Sequence, residues 1–153
     1  MTQEEQAVNY QTQKHILNVV ALMNHMVGEL LNRAGNHDQS KLENPELDYF
    51  VKHTHKLAAS TYGSEEYNAC LKELKPALDH HYAKNSHHPE HHKNGVNDMT
   101  LLDLVEMIAD WKSASLRHND GNIRKSIEIN GARFEMSQQL IRIFENTVKE
   151  LGW

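Results

Sequence analysis

Cys70 is the only thiol in 153 residues. One cysteine excludes an intramolecular disulfide, so nothing argues for a secreted, disulfide-stapled scaffold. It equally excludes cysteine-rich zinc fingers and iron–sulfur clusters. Long apolar runs are missing, since no stretch approaches the ~18 uninterrupted apolar residues of a membrane span. The opening Met1-Thr2-Gln3-Glu4-Glu5-Gln6 is polar and acidic, unlike a signal peptide, and the expected location is the cytoplasm. Positive charge is in deficit: 16 Lys and Arg stand against 21 Asp and Glu, for a net charge of −5. An extended nucleic-acid surface is therefore disfavoured, while a small phosphate-bearing ligand in a local basic pocket is not. No convincing period-two run, internal repeat or low-complexity linker is present, so neither strands nor separate domains are expected.

Histidine is what the chain has in excess. There are 12, and six of them, His80, His81, His87, His88, His91 and His92, fall within 79–93. The rest of the sequence reads as helices. From Ile16 through Leu31 apolar residues recur every three or four positions, predicting a helix over about 4–33 that ends at Ala34-Gly35-Asn36, with Gly35 past the last turn. Asn44-Pro45 marks a helix start, followed by the stripe Leu47, Phe50, Val51, Thr54, Leu57 and Ala58. Tyr62-Gly63-Ser64 breaks that helix, and Tyr67, Leu71, Leu74 and Leu78 form the next stripe, with Pro76 expected to kink or bound it. The stretch 81–97 has no helical pattern and holds Pro89 and Gly95, so it reads as a loop. Thr100 with Asp103 predicts a capping box opening a helix whose buried face is Leu101, Leu104, Val105, Ile108 and Ala109. After a turn at Asn119-Asp120-Gly121, a last helical region runs over about 123–151 with a break near Asn130-Gly131 and the stripe Ile123, Ile127, Phe134, Ile141, Phe144 and Val148. The length fits one domain, and the expected fold is an all-α, single-domain bundle of five or six helices.

The chemistry gathers around His37-Asp38. Alone, the pair reads more readily as a helix start, with Asp38 capping the Ser40-Lys41 turn, than as a pair of ligands. Its company changes that. His15 lies beside Ile16 and Val19, which predicts an inward-facing histidine, although a core histidine bonded to a backbone carbonyl is an equal reading. Asp110 follows Ile108 and Ala109, where a carboxylate is costly to bury unless paired, with Lys112 or Arg117, or bound to metal. Neutral imidazoles and carboxylates without thiolates suit Mn, Fe, Co, Ni or Zn at a working site. Lys41 lies three residues after Asp38, one helical turn away, where an ammonium suits a phosphate oxygen. Glu106 is placed to orient a ligand histidine. His53, His55, His91, His92 and His118 read most simply as solvated, with His55 in reserve as a further ligand. Met23, Met26, Met99, Met107 and Met136 read as core filler.

The order His15, His37-Asp38, His80 or His81, and Asp110 on an all-α chain resembles the HD-domain metal-dependent phosphohydrolases. His37-Asp38-Gln39-Ser40-Lys41 is similar to the His-Asp-x-x-Lys form of the cyclic-dinucleotide phosphodiesterases in that superfamily, without their Gly-Tyr-Pro signature. A closer likeness is to short, uncharacterised HD-like proteins found in phages and bacteria. It runs through His15, 37–41, Glu46, 80–90, 106–112 and Arg117, covering most of the chain. The resemblance implies one or two divalent transition-metal ions. His15, His37, Asp38, His80, His81, His88 and Asp110 would be the ligands, and Asp38 would bridge. Water activated by metal would attack phosphorus while Lys41 and Arg117 hold the phosphoryl group. The expected activity is hydrolysis of a small phosphate ester, a nucleotide being the first class to test. The alternatives are a di-iron oxygenase of the same superfamily and a non-catalytic metal-binding or interaction module. The oligomeric state is left open.

Overall fold

The computed structural model describes residues 1–59, 65–117 and 121–153. The expected breaks at Tyr62-Gly63-Ser64 and Asn119-Asp120, the residue His118, and the side chains of Thr54, Leu57, Ala58, Tyr67 and Leu71 lie outside the described residues. The all-α class is what the backbone adopts: the described residues hold six α-helices, three short 3-10 turns and no strand. The helices are α1 (Gln3–Asn36), α2 (Glu46–Ala59), α3 (Glu65–Lys84), α4 (Leu101–Ser115), α5 (Ile123–Arg133) and α6 (Gln138–Glu150). They fall into two compact units, Met1–Asn36 and His37–Trp153.

The first unit is α1. It runs through Gly35, three residues beyond the expected end, and Asn36 closes it by donating from Nδ2 to the Asn32 carbonyl at 2.8 Å. None of its residues is buried. The stripe of Ile16, Val19, Val20, Met23, Met26 and Val27, expected to face inward, is exposed, as is His15. A helix that forms a unit by itself has no neighbour within that unit to cover an apolar face.

In the second unit α2 packs on α3, α4 on α5, and α5 on α6. α2 begins at Glu46, one residue after Pro45, and what it buries is Glu46 and His53, while Leu47 and Val51 of the expected stripe are exposed. α3 runs unbroken through Pro76. It buries Cys70, Leu74, Ala77 and His81, a ladder of one turn per step. The capping box forms as expected: Thr100 Oγ1 accepts from the Asp103 amide, and the Asp103 carboxylate accepts from the Thr100 amide. The buried face of α4 is rotated from the expected one. Asp103, Met107, Ile108 and Ser115 are inside, and Leu101 and Val105 are exposed.

The main core is Met107, Ile108, Ile123, Ile127, Met136, Phe144 and Val148. Trp111 meets the Phe144 ring edge-to-face at 5.9 Å, which settles Trp111 as a packing residue. The break between α5 and α6 comes after Arg133 rather than at Gly131. Gly131 is helical and buried because a Cβ there would meet Ile141 Cδ1 at 3.0 Å, so the glycine permits the close approach of α6. Phe144→Ala, at the centre of this core, is expected to cost about 3–5 kcal/mol in denaturant unfolding. An unchanged midpoint would show that α6 is not integral to the core.

Candidate metal centre

Three segments bring the chemistry together. His37 and Asp38 sit in a turn that precedes a 3-10 turn at Gln39–Leu42. Asp38 takes a left-handed backbone (φ 57°, ψ 15°), a conformation that Asp tolerates better than most residues. That geometry aims the Asp38 carboxylate at the other two segments. The end of α3 and the loop after it carry His81, His87 and His88. The middle of α4 carries Glu106 and Asp110, one turn apart.

Two glutamates fix the imidazoles. Glu46 is fully buried and accepts from His80 Nδ1 at 2.7 Å and from His81 Nδ1 at 2.9 Å. Glu106 accepts from His37 Nδ1 at 2.9 Å, and its Oε1 lies 3.1 Å from His87 Nδ1. A carboxylate can only accept, so Nδ1 of His37, His80 and His81 carries a proton, and Nε2 of His81 is left to present a lone pair. The Nε2 atoms gather around acidic oxygen. His81 Nε2 lies 3.2 Å from Asp38 Oδ1 and 2.9 Å from His88 Nε2. His87 Nε2 lies 3.6 Å from Asp38 Oδ1. His37 Nε2 lies 3.5 Å from Asp38 Oδ2 and 3.8 Å from Asp110 Oδ1. Asp38 Oδ1 and His87 Nε2 are buried without a hydrogen-bond partner. Acceptors facing acceptors repel unless positive charge lies among them, so the donor set fits a metal ion. Two of the groups able to hold one are Asp38 with His81, His87 and His88, and Asp38 with His37 and Asp110.

The electrostatics say the same. The Asp110 carboxylate beside it pushes the His37 pKa up to about 9; burial opposes this, and Glu106 and Asp38 add to the rise. Burial would raise Asp38, but His81 beside it and Lys41, whose Nζ lies 2.5 Å from Oδ2, hold it well below the carboxylate range. His88 is pushed down to about 3, first by burial and then by His87 and His81. Burial also lowers His87. His87 and His88 are therefore neutral and open to metal, while His37 carries the proton that a metal must displace.

Cation affinity should accordingly rise about tenfold per pH unit from neutral pH and level off near pH 9, with one proton released per cation bound at His37. Calorimetry in buffers of different ionisation enthalpy reads that proton directly; affinity flat with pH would contradict it. In the metal-free chain the sign is opposite. His37 binds its proton more tightly folded than unfolded, so its contribution to stability is full below 6.5 and fades as pH rises through about 9.

Of the expected ligands, the structure brings together His37, Asp38, His81, His88 and Asp110. It adds His87, whose sequence signal was only its place beside His88. His80 is tied to Glu46 and belongs to none of the clusters among the described residues. His15 lies exposed on α1, in the other unit, and is in none of them either. His55 is exposed. Arg117 is exposed in the turn after α4. His53, expected in solvent, is buried between Cys70 Sγ at 3.8 Å and Glu73 Oε2 at 3.2 Å. His91 and His92 bond the loop carbonyls of Tyr82 and Ser86. No helix among the described residues is long and apolar enough to cross a membrane.

A model of a family of unknown function, DUF5662, matches residues 4–150 of the chain. No curated protein and no solved structure matches it.

Proposed function

We propose that this chain, which belongs to the DUF5662 family, is a metal-dependent phosphohydrolase that cleaves a small phosphate ester, a nucleotide first among the candidates, at the cluster around Asp38. The observation that carries the reading is the buried meeting of unprotonated donors. Asp38 Oδ1 and His87 Nε2 have no partner, while Glu46 and Glu106 hold the Nδ1–H groups of His81 and His37 away from the centre. The chain order His37-Asp38, His81, Asp110, which resembles the HD phosphohydrolases, supports the same reading.

A divalent cation held here supplies Lewis acidity, both to a water nucleophile at neutral pH and to a phosphoryl oxygen. The side chains do the rest. Asp38, His81, His87 and His88 would hold a cation on one side, and Asp38, His37 and Asp110 on the other. Glu46 and Glu106 keep the imidazoles in the ligand tautomer. Lys41, more than a third exposed and against Asp38, presents an ammonium to charge growing on the phosphoryl oxygens. Arg117 stands as a second cation for the phosphate in this proposal.

The test is phosphate release from a nucleotide panel by chelator-stripped protein reloaded with Mn, Co, Ni or Fe. Activity should appear with metal and vanish in His37→Ala and Asp38→Ala; activity surviving in both overturns the proposal. Two irons per chain with oxygen consumption would replace it by the oxygenase reading. Metal content lost with His91 and His92 but retained without Asp38 would replace it by a surface metal-binding module.

A further inference from the structure

We infer that α1 is a dimerisation arm: its apolar stripe is closed by the α1 of a second copy of this chain, lying antiparallel to it. The cluster around Asp38 takes no part in this contact. Ile16, Val19, Val20, Met23, Met26 and Val27 follow one another at steps of one to four residues along one face of the helix, and each is 39–60% exposed. Leu30 continues the line. A monomeric protein rarely leaves so long an apolar strip in water, and a helix that stands by itself gains most of its stability from packing such a face.

The order of residues selects the occupant. The stripe is its own mirror about Met23: Ile16 and Leu30 stand equally far from it along the chain, as do Val19 and Val27, and Val20 and Met26. A two-fold axis at Met23 therefore sets Ile16 against Leu30 of the partner copy, Val19 against its Val27, Val20 against its Met26, and Met23 against itself. Every apolar side chain meets an apolar one, as an isologous contact requires. The edges match under the same axis. His15, Leu22 and Glu29 recur at seven-residue steps along one edge, so the antiparallel turn lays His15 beside Glu29 of the partner copy, twice, with the two Leu22 side chains between. Leu17, Asn24 and Leu31 line the other edge at the same spacing, which pairs Leu17 with Leu31 and Asn24 with Asn24, whose amide both donates and accepts.

A parallel pair loses these matches. It sets His15 and Glu29 against apolar positions of the partner copy and aligns the two helix dipoles side by side. Charge also argues against other occupants. Between Gln6 and Gly28 the only Lys, Arg, Asp or Glu is Lys14, which lies two residues before Ile16 and so on the opposite face of the helix. This part of the stripe therefore has no cation to draw it to an anionic membrane and no charge to select a charged peptide. Stripe and edges together offer roughly 600 Å² per copy, about 1,200 Å² in total, the lower end of what a specific interface buries. A reversible dimer is the expected result rather than a permanent one.

The experiment is analytical ultracentrifugation of the full chain over about 1–200 μM, the range in which a contact of this size forms and dissociates. The mass should rise from 17.7 kDa toward twice that value with concentration. Met23→Glu, which brings two carboxylates together on the axis, should hold the chain at the monomer mass, with its urea midpoint at the value of the dilute, monomeric parent. Orientation is read by oxidation: Ile16→Cys and Leu30→Cys should cross-link when mixed and not when either is alone, with the parent, whose one thiol Cys70 is buried, as the control. A parent that stays monomeric throughout, or a dimer that Met23→Glu leaves intact, overturns the proposal. So does cross-linking of either cysteine variant by itself as readily as the mixture, which is the parallel pair. A monomeric Met23→Glu that unfolds at lower urea than the dilute parent also overturns it, by showing the stripe to be closed within one chain.

Discussion

Asp38→Asn should leave the chain folded and take away its metal and its activity together. Asn accepts the left-handed backbone that Asp38 adopts (φ 57°), so the turn survives a change that Ala would strain. What is lost is the shared anion. One amide oxygen replaces two carboxylate oxygens that between them face His37, His81, His87 and Lys41, and an NH₂ donor now points into a cluster of lone pairs and cations. Metal stoichiometry should fall below one ion per chain, and phosphate release should drop by about 10²–10³-fold or more. Elemental analysis, circular dichroism and the nucleotide assay check the three parts. A folded Asp38→Asn that keeps its full metal complement would remove Asp38 from the centre.

Glu46→Ala should be the most damaging single change at the site for stability. Glu46 is fully buried, and its oxygens accept from the Nδ1–H groups of two successive histidines on α3. Its removal strands both donors and opens a void under the last turns of that helix. Losing a buried acceptor with two partners costs about 2–5 kcal/mol. Freed from Glu46, His81 can turn or change tautomer, which should weaken cation binding by about 10–100-fold. Glu46→Gln keeps one acceptor and should fall between Ala and the parent in both readouts. Urea unfolding of the metal-free chain separates the stability effect from the metal effect. If Glu46→Ala unfolds at the parent's midpoint and binds Mn²⁺ as tightly, the carboxylate orients nothing.

The legible parts of the site were those set by residue type and short spacing. His37-Asp38 and Lys41 lie within one turn, so whichever turn forms there keeps them together, and they are in fact joined through Asp38 Oδ2. Asp110 and Glu106 share a helix face at one-turn spacing, and the order of donors along the chain marked that face as chemical. The loop histidines were not legible individually. His80 and His81 are neighbours in sequence and point about 100° apart on α3, so one enters the cluster and the other stops at Glu46. Which of them enters depends on how α3 is rotated against α2. His53 shows the same limit, since a histidine flanked by polar residues is buried by the helix α3 packed against it.

Composition and periodicity by themselves determined that this chain is all-helical, that α4 opens on a Thr100–Asp103 capping box, and that any metal would be held by imidazole and carboxylate rather than thiolate. These follow from local rules: hydrogen bonds four residues apart, a side chain three residues from its cap, the chemistry of the donors available. Only the tertiary structure decided that α4 leaves Leu101 and Val105 exposed and buries Asp103, that His87 joins the cluster and His80 does not, and that Glu46 serves two histidines at once. Periodicity says that a helix has a face, but the angle at which helices meet selects which residues lie on it. The carboxylates that hold His80 and His37 in place come from segments 34 and 69 residues away in sequence.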